Sequence, residues 1–232
     1  MKYLIIETFP SSPHLEASME IAINLKKKGN DVLFFWAGYD LPWVDWKLPI
    51  YKKLLLFSYE SKLRKVVNYL KSKSINIIED PKLDYKVFKK IDFFLKKIKK
   101  IENLKFLKYN KKVPIGLGVY SSLISKHHTS NLKNLKHVAI KAVKSGCIIF
   151  ERSNKIIRST KPDVILTFNS RFAITKPILE AAKLNKVKIF SHERGSVLNK
   201  YEIFKGDMFD QGYASQHIET YWTRETNFFK KN

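Results

Sequence analysis

The sequence predicts an α/β fold, a parallel sheet flanked by helices, and three observations carry the prediction. The chain opens with an apolar strand, an amphipathic helix and a second strand, all before Ala37. Its last third repeats that rhythm between Pro162 and Phe190. Between the two, apolar residues recur at helical spacing instead of alternating along strands. A strand, helix and strand in so short a span leave room only for a right-handed crossover joining parallel strands. The reading is one Rossmann-like α/β domain over residues 1–220, with 221–232 expected as a terminal segment or the start of a linker to a second domain.

Lys2–Ile6 is a continuous apolar run and reads as the first strand. From His14 to Lys28, Leu15, Met19, Ala22 and Leu25 share one helical face, and Gly29-Asn30 supplies the stop. Asp31–Trp36 is the second strand. Residues 40–58 hold two prolines and two tryptophans without periodicity, which predicts a loop and a short helix. Tyr59, Leu63, Val66, Val67 and Leu70 are at helical spacing, and Ile75–Ile78 reads as a third strand ended by Glu79-Asp80-Pro81.

A long basic amphipathic helix is predicted over Tyr85–Lys108, with Phe88, Ile91, Leu95, Ile98 and Ile101 as its apolar stripe. Val113–Tyr120 carries Gly116 and Gly118, but Ser121 stands where a dinucleotide fingerprint needs its third glycine, and the motif belongs after the first strand. It is expected to be a turn shaping a pocket wall. Asn134–Ile157 is predicted helical, with Gly146 as a bend; Pro162–Phe168 as a strand; Thr175–Lys183 as a helix capped by Thr175; and Val187–Phe190 as a strand. Beyond Gly195 periodicity is lost, and a loop and short terminal helix are expected.

The net charge of +23 is unevenly spread: residues 1–50 carry five basic and six acidic side chains, residues 51–112 nineteen and six. Such a field attracts polyanions or anionic membrane. A coding bias toward Lys, Ile and Asn explains the same excess without any ligand, and a solvated helix face is an equally ordinary use of lysine. Nucleic acid is not the expected partner, because no nucleic-acid motif is present and the aromatics fall at core positions. The single cysteine, Cys147, excludes an internal disulfide and fits a reducing compartment, so the expected location is cytoplasmic; the basic helix over Tyr85–Lys108 adds the expectation of peripheral contact at the inner membrane face. His127 and His128 are adjacent and diverge on a helix, which argues against a metal pair.

Ligands of open parallel sheets bind beyond the carboxyl ends of the strands. That rule selects Glu7, Thr8, Ser11, Ser12 and His14 after the first strand, Asn169 and Arg171 after the strand ending at Phe168, and His192, Glu193, Arg194 and Gly195 after the strand ending at Phe190. Glu193 or His192 suits a general base; Arg171 and Arg194 suit a phosphate or carboxylate; Glu7, His14, Asn169 and Gly195 complete the expected binding set. A salt-bridge network closing the sheet end is the competing structural reading.

The opening strand with Pro and His before a helix, followed by Lys28-Gly29-Asn-Asp-Val-Leu-Phe, resembles the start of the acceptor-side domain of GT-B glycosyltransferases. Phe168–Phe172 and His192–Gly195 are similar to segments of bacterial capsule and surface-polysaccharide transferases. The resemblance implies a single GT-B-type N-terminal domain, a glycan or lipid-linked acceptor, no tightly bound cofactor, and a nucleotide-sugar donor held mainly by a second domain that these residues do not contain. Two alternatives stand beside it: a non-catalytic nucleotide- or polyanion-binding module, and a complete small enzyme of the epimerase or hydrolase kind.

Overall fold

The computed structural model describes residues 1–10, 12–38, 40–45, 52–98, 100–129, 131–194 and 200–206, with 52–60 as backbone only. Its strands are β1 (Lys2–Glu7), β2 (Asp31–Trp36), β3 (Asn76–Ile78), β4 (Val164–Phe168), β5 (Lys188–Arg194) and β6 (Tyr201–Lys205). Its helices are α1 (His14–Lys27), α2 (Lys52–Ser72), α3 (Tyr85–Lys96), α4 (Ile115–His127), α5 (Lys136–Thr160) and α6 (Lys176–Leu184). The sheet order is β3-β2-β1-β4-β5-β6. Five strands are parallel, as expected, and β6 closes the edge antiparallel to β5. The protein is therefore a Rossmann-like α/β domain with a mixed, mostly parallel sheet flanked by helices.

Strand periodicity divides the core between the two faces of the sheet. Leu4 and Ile6 of β1 join Phe35, Ile165 and the inward residues of α3 to α6 on one face. Ile5 joins Leu15 and Ala22 of α1, Phe34 of β2 and Leu70 of α2 on the other. Gly29 ends α1 with φ +79°, and the N–H groups of Gly29 and Asn30 take up the carbonyls of Lys26 and Leu25, the predicted stop.

Several elements differ from the sequence reading. Helix α2 starts at Lys52, inside the segment expected to be largely loop. Helix α3 ends at Lys96 instead of Lys108, and a 3-10 turn follows at Leu104–Phe106. Leaving the helix there lets Ile98 and Ile101 enter the core. Val113–Tyr120 is not a turn: Gly116 and Gly118 lie in α4. Each is needed for close approach, since a Cβ would sit 1.8 Å from the Leu104 carbonyl oxygen or 2.8 Å from that of Phe172. Gly146 likewise lets α5 approach Ala173, whose carbonyl a Cβ would meet at 3.0 Å.

Thr175 stands at the N-cap of α6 as predicted, but its side chain makes no capping hydrogen bond. Its hydroxyl instead accepts the Phe172 N–H at 3.0 Å, while Pro177 occupies the first turn as predicted. Strand β5 runs on through Arg194, because β6, which the loss of periodicity concealed, supplies a pairing edge. Ser11, Gly195, the expected terminal helix and the boundary at 220 lie outside the described residues.

Candidate functional site

The order β1-β4-β5 places the carboxyl ends of three consecutive parallel strands side by side. Strand β1 leads to β2 on one flank while β4 lies on its other, so the β1/β4 boundary is the crevice where ligands of such sheets bind. Three of the predicted segments converge there.

Asn169 organises the middle of the site. It follows β4 with φ +34°, a left-handed conformation that Asn tolerates better than most residues. Its backbone N–H donates to the His192 carbonyl at 3.0 Å. Its side-chain oxygen accepts the Arg171 N–H at 2.9 Å, and its amide nitrogen donates to Glu193 Oε2 at 2.6 Å. The other carboxylate oxygen, Oε1, accepts the Arg194 N–H at 2.9 Å. Glu193 is thus held at both oxygens.

The period-2 alternation of β5 separates the polar cluster that the sequence presents as one. His192 is 1% exposed, whereas Glu193 keeps 23% of its side chain open and Arg194 is exposed. His14 begins α1 with the same 23% exposure, its Nδ1 lying 4.0 Å from Glu193 Oε1. The His14 ring packs on Phe168 with centroids 4.0 Å apart. Burial lowers the His14 pKa below its ordinary value, Glu193 opposes that, and the nearby Arg194 charge adds to it. An imidazole biased toward its neutral form thus faces the cleft beside a fixed carboxylate.

Beneath this pair runs a buried polar column. Glu7 Oε1 accepts the N–H groups of Thr8 at 2.7 Å and Phe9 at 2.8 Å. Its Oε2 accepts the Ser18 hydroxyl in a short hydrogen bond, and Ser18 Oγ lies 2.8 Å from His192 Nε2. Burial pushes the Glu7 carboxyl up to about 7 against the opposing hydrogen bonds, and pushes His192 down to about 4. The residue types are those of a serine, histidine and acid triad, but the acid hydrogen-bonds the serine and stands 3.9 Å from His192 Nε2, and Ser18 is fully buried. The column can hold or share a proton; it cannot attack a substrate. Ser18 was not among the predicted residues. Its signal is a hydroxyl on the apolar face of α1, between Leu15 and Ala22.

A second missed group is Asp45, in the loop after β2. The Ser122 hydroxyl of α4 donates to it in a short hydrogen bond and accepts the Ala173 N–H at 2.7 Å, while Asp45 Oδ2 accepts the Ile174 N–H at 3.3 Å. Burial lifts Asp45 to about 7, opposed chiefly by the Ser122 and Ile174 hydrogen bonds and less by the charges of Lys126 and Arg171. The network pins the turn between β4 and α6. Arg171, on that turn, lies over the Phe172 ring at 4.6 Å.

A cleft of about 380 Å³ opens at the site between α1 and the β5–β6 pair, with His14, His192 and Arg194 in its lining. Among the described residues no group of three or more His, Cys, Asp or Glu could hold a metal ion, and no helix is long and apolar enough to cross a membrane.

No protein-family model matches the chain, and no curated protein matches it. Among solved structures the chain is similar to a deacetylase in complex with teicoplanin, from the teicoplanin biosynthesis pathway, at 13% identity and a TM-score of 0.42, over 83% of this chain and 70% of that one. The chain is, on its own strand order and helical layers, an α/β domain of Rossmann-like architecture whose polar residues gather where β1, β4 and β5 end.

Proposed function

We propose that the chain is the acceptor-binding half of a glycosyltransferase that builds a cell-surface glycan, with His14 as the base and Glu193 as the residue that orients it. The observation that carries this reading is the pair itself, at 4.0 Å, with about a quarter of each side chain exposed. A proton on Nδ1, facing the carboxylate, leaves Nε2 as the acceptor for a hydroxyl proton. Catalytic contacts of this length are common before substrate binds. In the transfer step the acceptor hydroxyl gives its proton to His14, its oxygen bonds to the anomeric carbon, and the glycosyl–phosphate bond breaks with the nucleoside diphosphate leaving. The nucleotide-sugar donor is held mainly by a second domain. The resemblance of Phe168–Phe172 and His192–Gly195 to surface-polysaccharide transferases supports the same reading.

Its test is incorporation of label from a panel of sugar nucleotides into lipid-linked glycan by the full gene product. Transfer that His14→Ala reduces by at least roughly a hundredfold is the expected result. No transfer to any glycan acceptor, or transfer indifferent to His14, overturns it.

A second reading, a polyanion-binding module, is favoured by the nineteen basic residues between 51 and 112 and by α3, where Lys89 and Lys97 lie over the exposed rings of Tyr85 and Phe93. It requires binding to heparin or RNA whose logarithm falls steeply with the logarithm of salt concentration.

A further inference from the structure

The cleft beside His14 has a charge pattern unlike that of the molecule as a whole. Glu16 and Glu20 lie one turn apart on the same face of α1 and form one wall. Arg194, at the end of β5, and Lys200, just before β6, form the other, with Tyr201 beside them. Two carboxylates face two cations, but Lys62 pairs with Glu16, so Glu20 alone opposes Arg194 and Lys200 and the cleft carries a small positive charge inside a chain of net charge +23. A ligand carrying several negative charges gains from the cationic wall and loses to the acidic one.

The acidic wall is only partly committed. Glu16 Oε1 already accepts the Ser12 hydroxyl at 2.5 Å and Lys62 Nζ at 3.0 Å. Glu20 makes no such hydrogen bond among the described residues, and its charge acts on the half-buried Tyr201 phenol, which burial chiefly raises. On the opposite wall, the Arg194 charge is close enough to help lower the His14 pKa. Arg194 and His14 line the same cleft, so an anionic group held by Arg194 shares it with the His14 imidazole.

We infer that this cleft binds a saccharide unit bearing one carboxylate, a uronic acid. Its carboxylate is held by Arg194 and Lys200, its hydroxyls donate to Glu20, and its ring lies against Tyr201. The planar guanidinium matches a carboxylate bidentately, and a carboxylate facing hydroxyl donors is the usual chemistry for sugar hydroxyls. The acid in the cleft selects a monoanion over a phosphorylated sugar. This deepens the glycan-acceptor reading and rests on it for the identity of the ligand as acceptor, while the binding itself is measured without transfer.

The test titrates the 232-residue chain with methyl β-D-glucuronide, methyl β-D-glucoside, methyl β-D-glucosaminide and glucose 1-phosphate by saturation-transfer NMR. Glucuronide is expected to bind about tenfold more tightly than glucoside, the worth of one charge-assisted pair. Arg194→Ala should erase that preference, and Glu20→Gln should weaken both sugars alike. Equal affinity for glucuronide and glucoside, tighter binding of glucose 1-phosphate or of the glucosaminide, or a preference that survives Arg194→Ala overturns the inference. Glucuronide preference without transfer by the full gene product would sink the transferase reading alone. Transfer to neutral and uronic acceptors alike would sink this inference alone.

Discussion

His14 Nδ1 at the start of α1 and Glu193 Oε1 near the end of β5 lie 4.0 Å apart, the histidine packed on Phe168 and the carboxylate fixed by Asn169 and the Arg194 N–H. If His14 is the base, His14→Ala should reduce transfer by roughly 10²- to 10⁴-fold. Glu193→Gln should cost less, since it leaves the imidazole in place. Both variants should keep the parent's circular dichroism, because neither side chain belongs to the apolar core. Steady-state rates on the full gene product decide it, and a His14→Ala enzyme within a few-fold of the parent removes His14 from the chemistry.

The buried Glu7 predicts a pH-dependent stability. Its folded-state value of about 7 lies above the ordinary 4.5, so the fold holds this proton more tightly than the unfolded chain does. That stabilisation is complete below pH 4.5 and is lost as pH rises through 7. Asp45 behaves the same way from 3.8 to about 7. His192 has the opposite sign: lowered from 6.5 to about 4, its contribution is present above 6.5 and lost as pH falls through 4. Gln at position 7 can accept from Thr8 and Phe9 and donate to Ser18, so it removes the titration and keeps the column. The stability gap between Glu7→Gln and the parent should shift in favour of the variant by up to about 3 kcal/mol between pH 5 and pH 8. Urea unfolding at both values measures it; a gap that does not move with pH refutes the assignment.

Ser122→Ala removes a donor to Asp45 and the acceptor of the Ala173 N–H together. A buried N–H left without a partner costs about 1–3 kcal/mol. The loss should be accompanied by faster amide exchange at Ala173 and Ile174, the residues the network pins. Exchange unchanged at both would show the turn is held by other contacts.

Gly116→Ala sets a methyl 1.8 Å from a backbone oxygen of the 3-10 turn, where no flexible side chain can give way. The variant should lose about 3 kcal/mol or fail to accumulate. Gly29→Ala, strained only by φ +79° with open space around it, should lose about 1 kcal/mol. The order of the two midpoints in denaturant is the check.

Cys147 is fully exempt from solvent, and burial chiefly pushes its thiol above the ordinary range. Alkylation by iodoacetamide at pH 8 should therefore follow the unfolding of the chain. Stoichiometric labelling of the native protein within minutes would contradict that packing.

The α/β class, the first βαβ unit and the stop at Gly29 were legible because each depends on local periodicity and local backbone geometry. Two errors have one physical origin. Gly116 and Gly118 look like turn residues, and Ser191–Arg194 looks like a loop, because a helix needing close approach and a strand needing a partner are specified by residues far along the chain. The sequence by itself determined which strand ends carry polar side chains and that these ends belong to one sheet. Only the tertiary structure decided their roles. Pleating buries His192 and leaves Glu193 in the cleft, packing brings His14 to Glu193, and the apolar face of α1 carries Ser18 between Glu7 and His192. Contacts such as these form only when elements remote in sequence are brought together, and no local pattern encodes them.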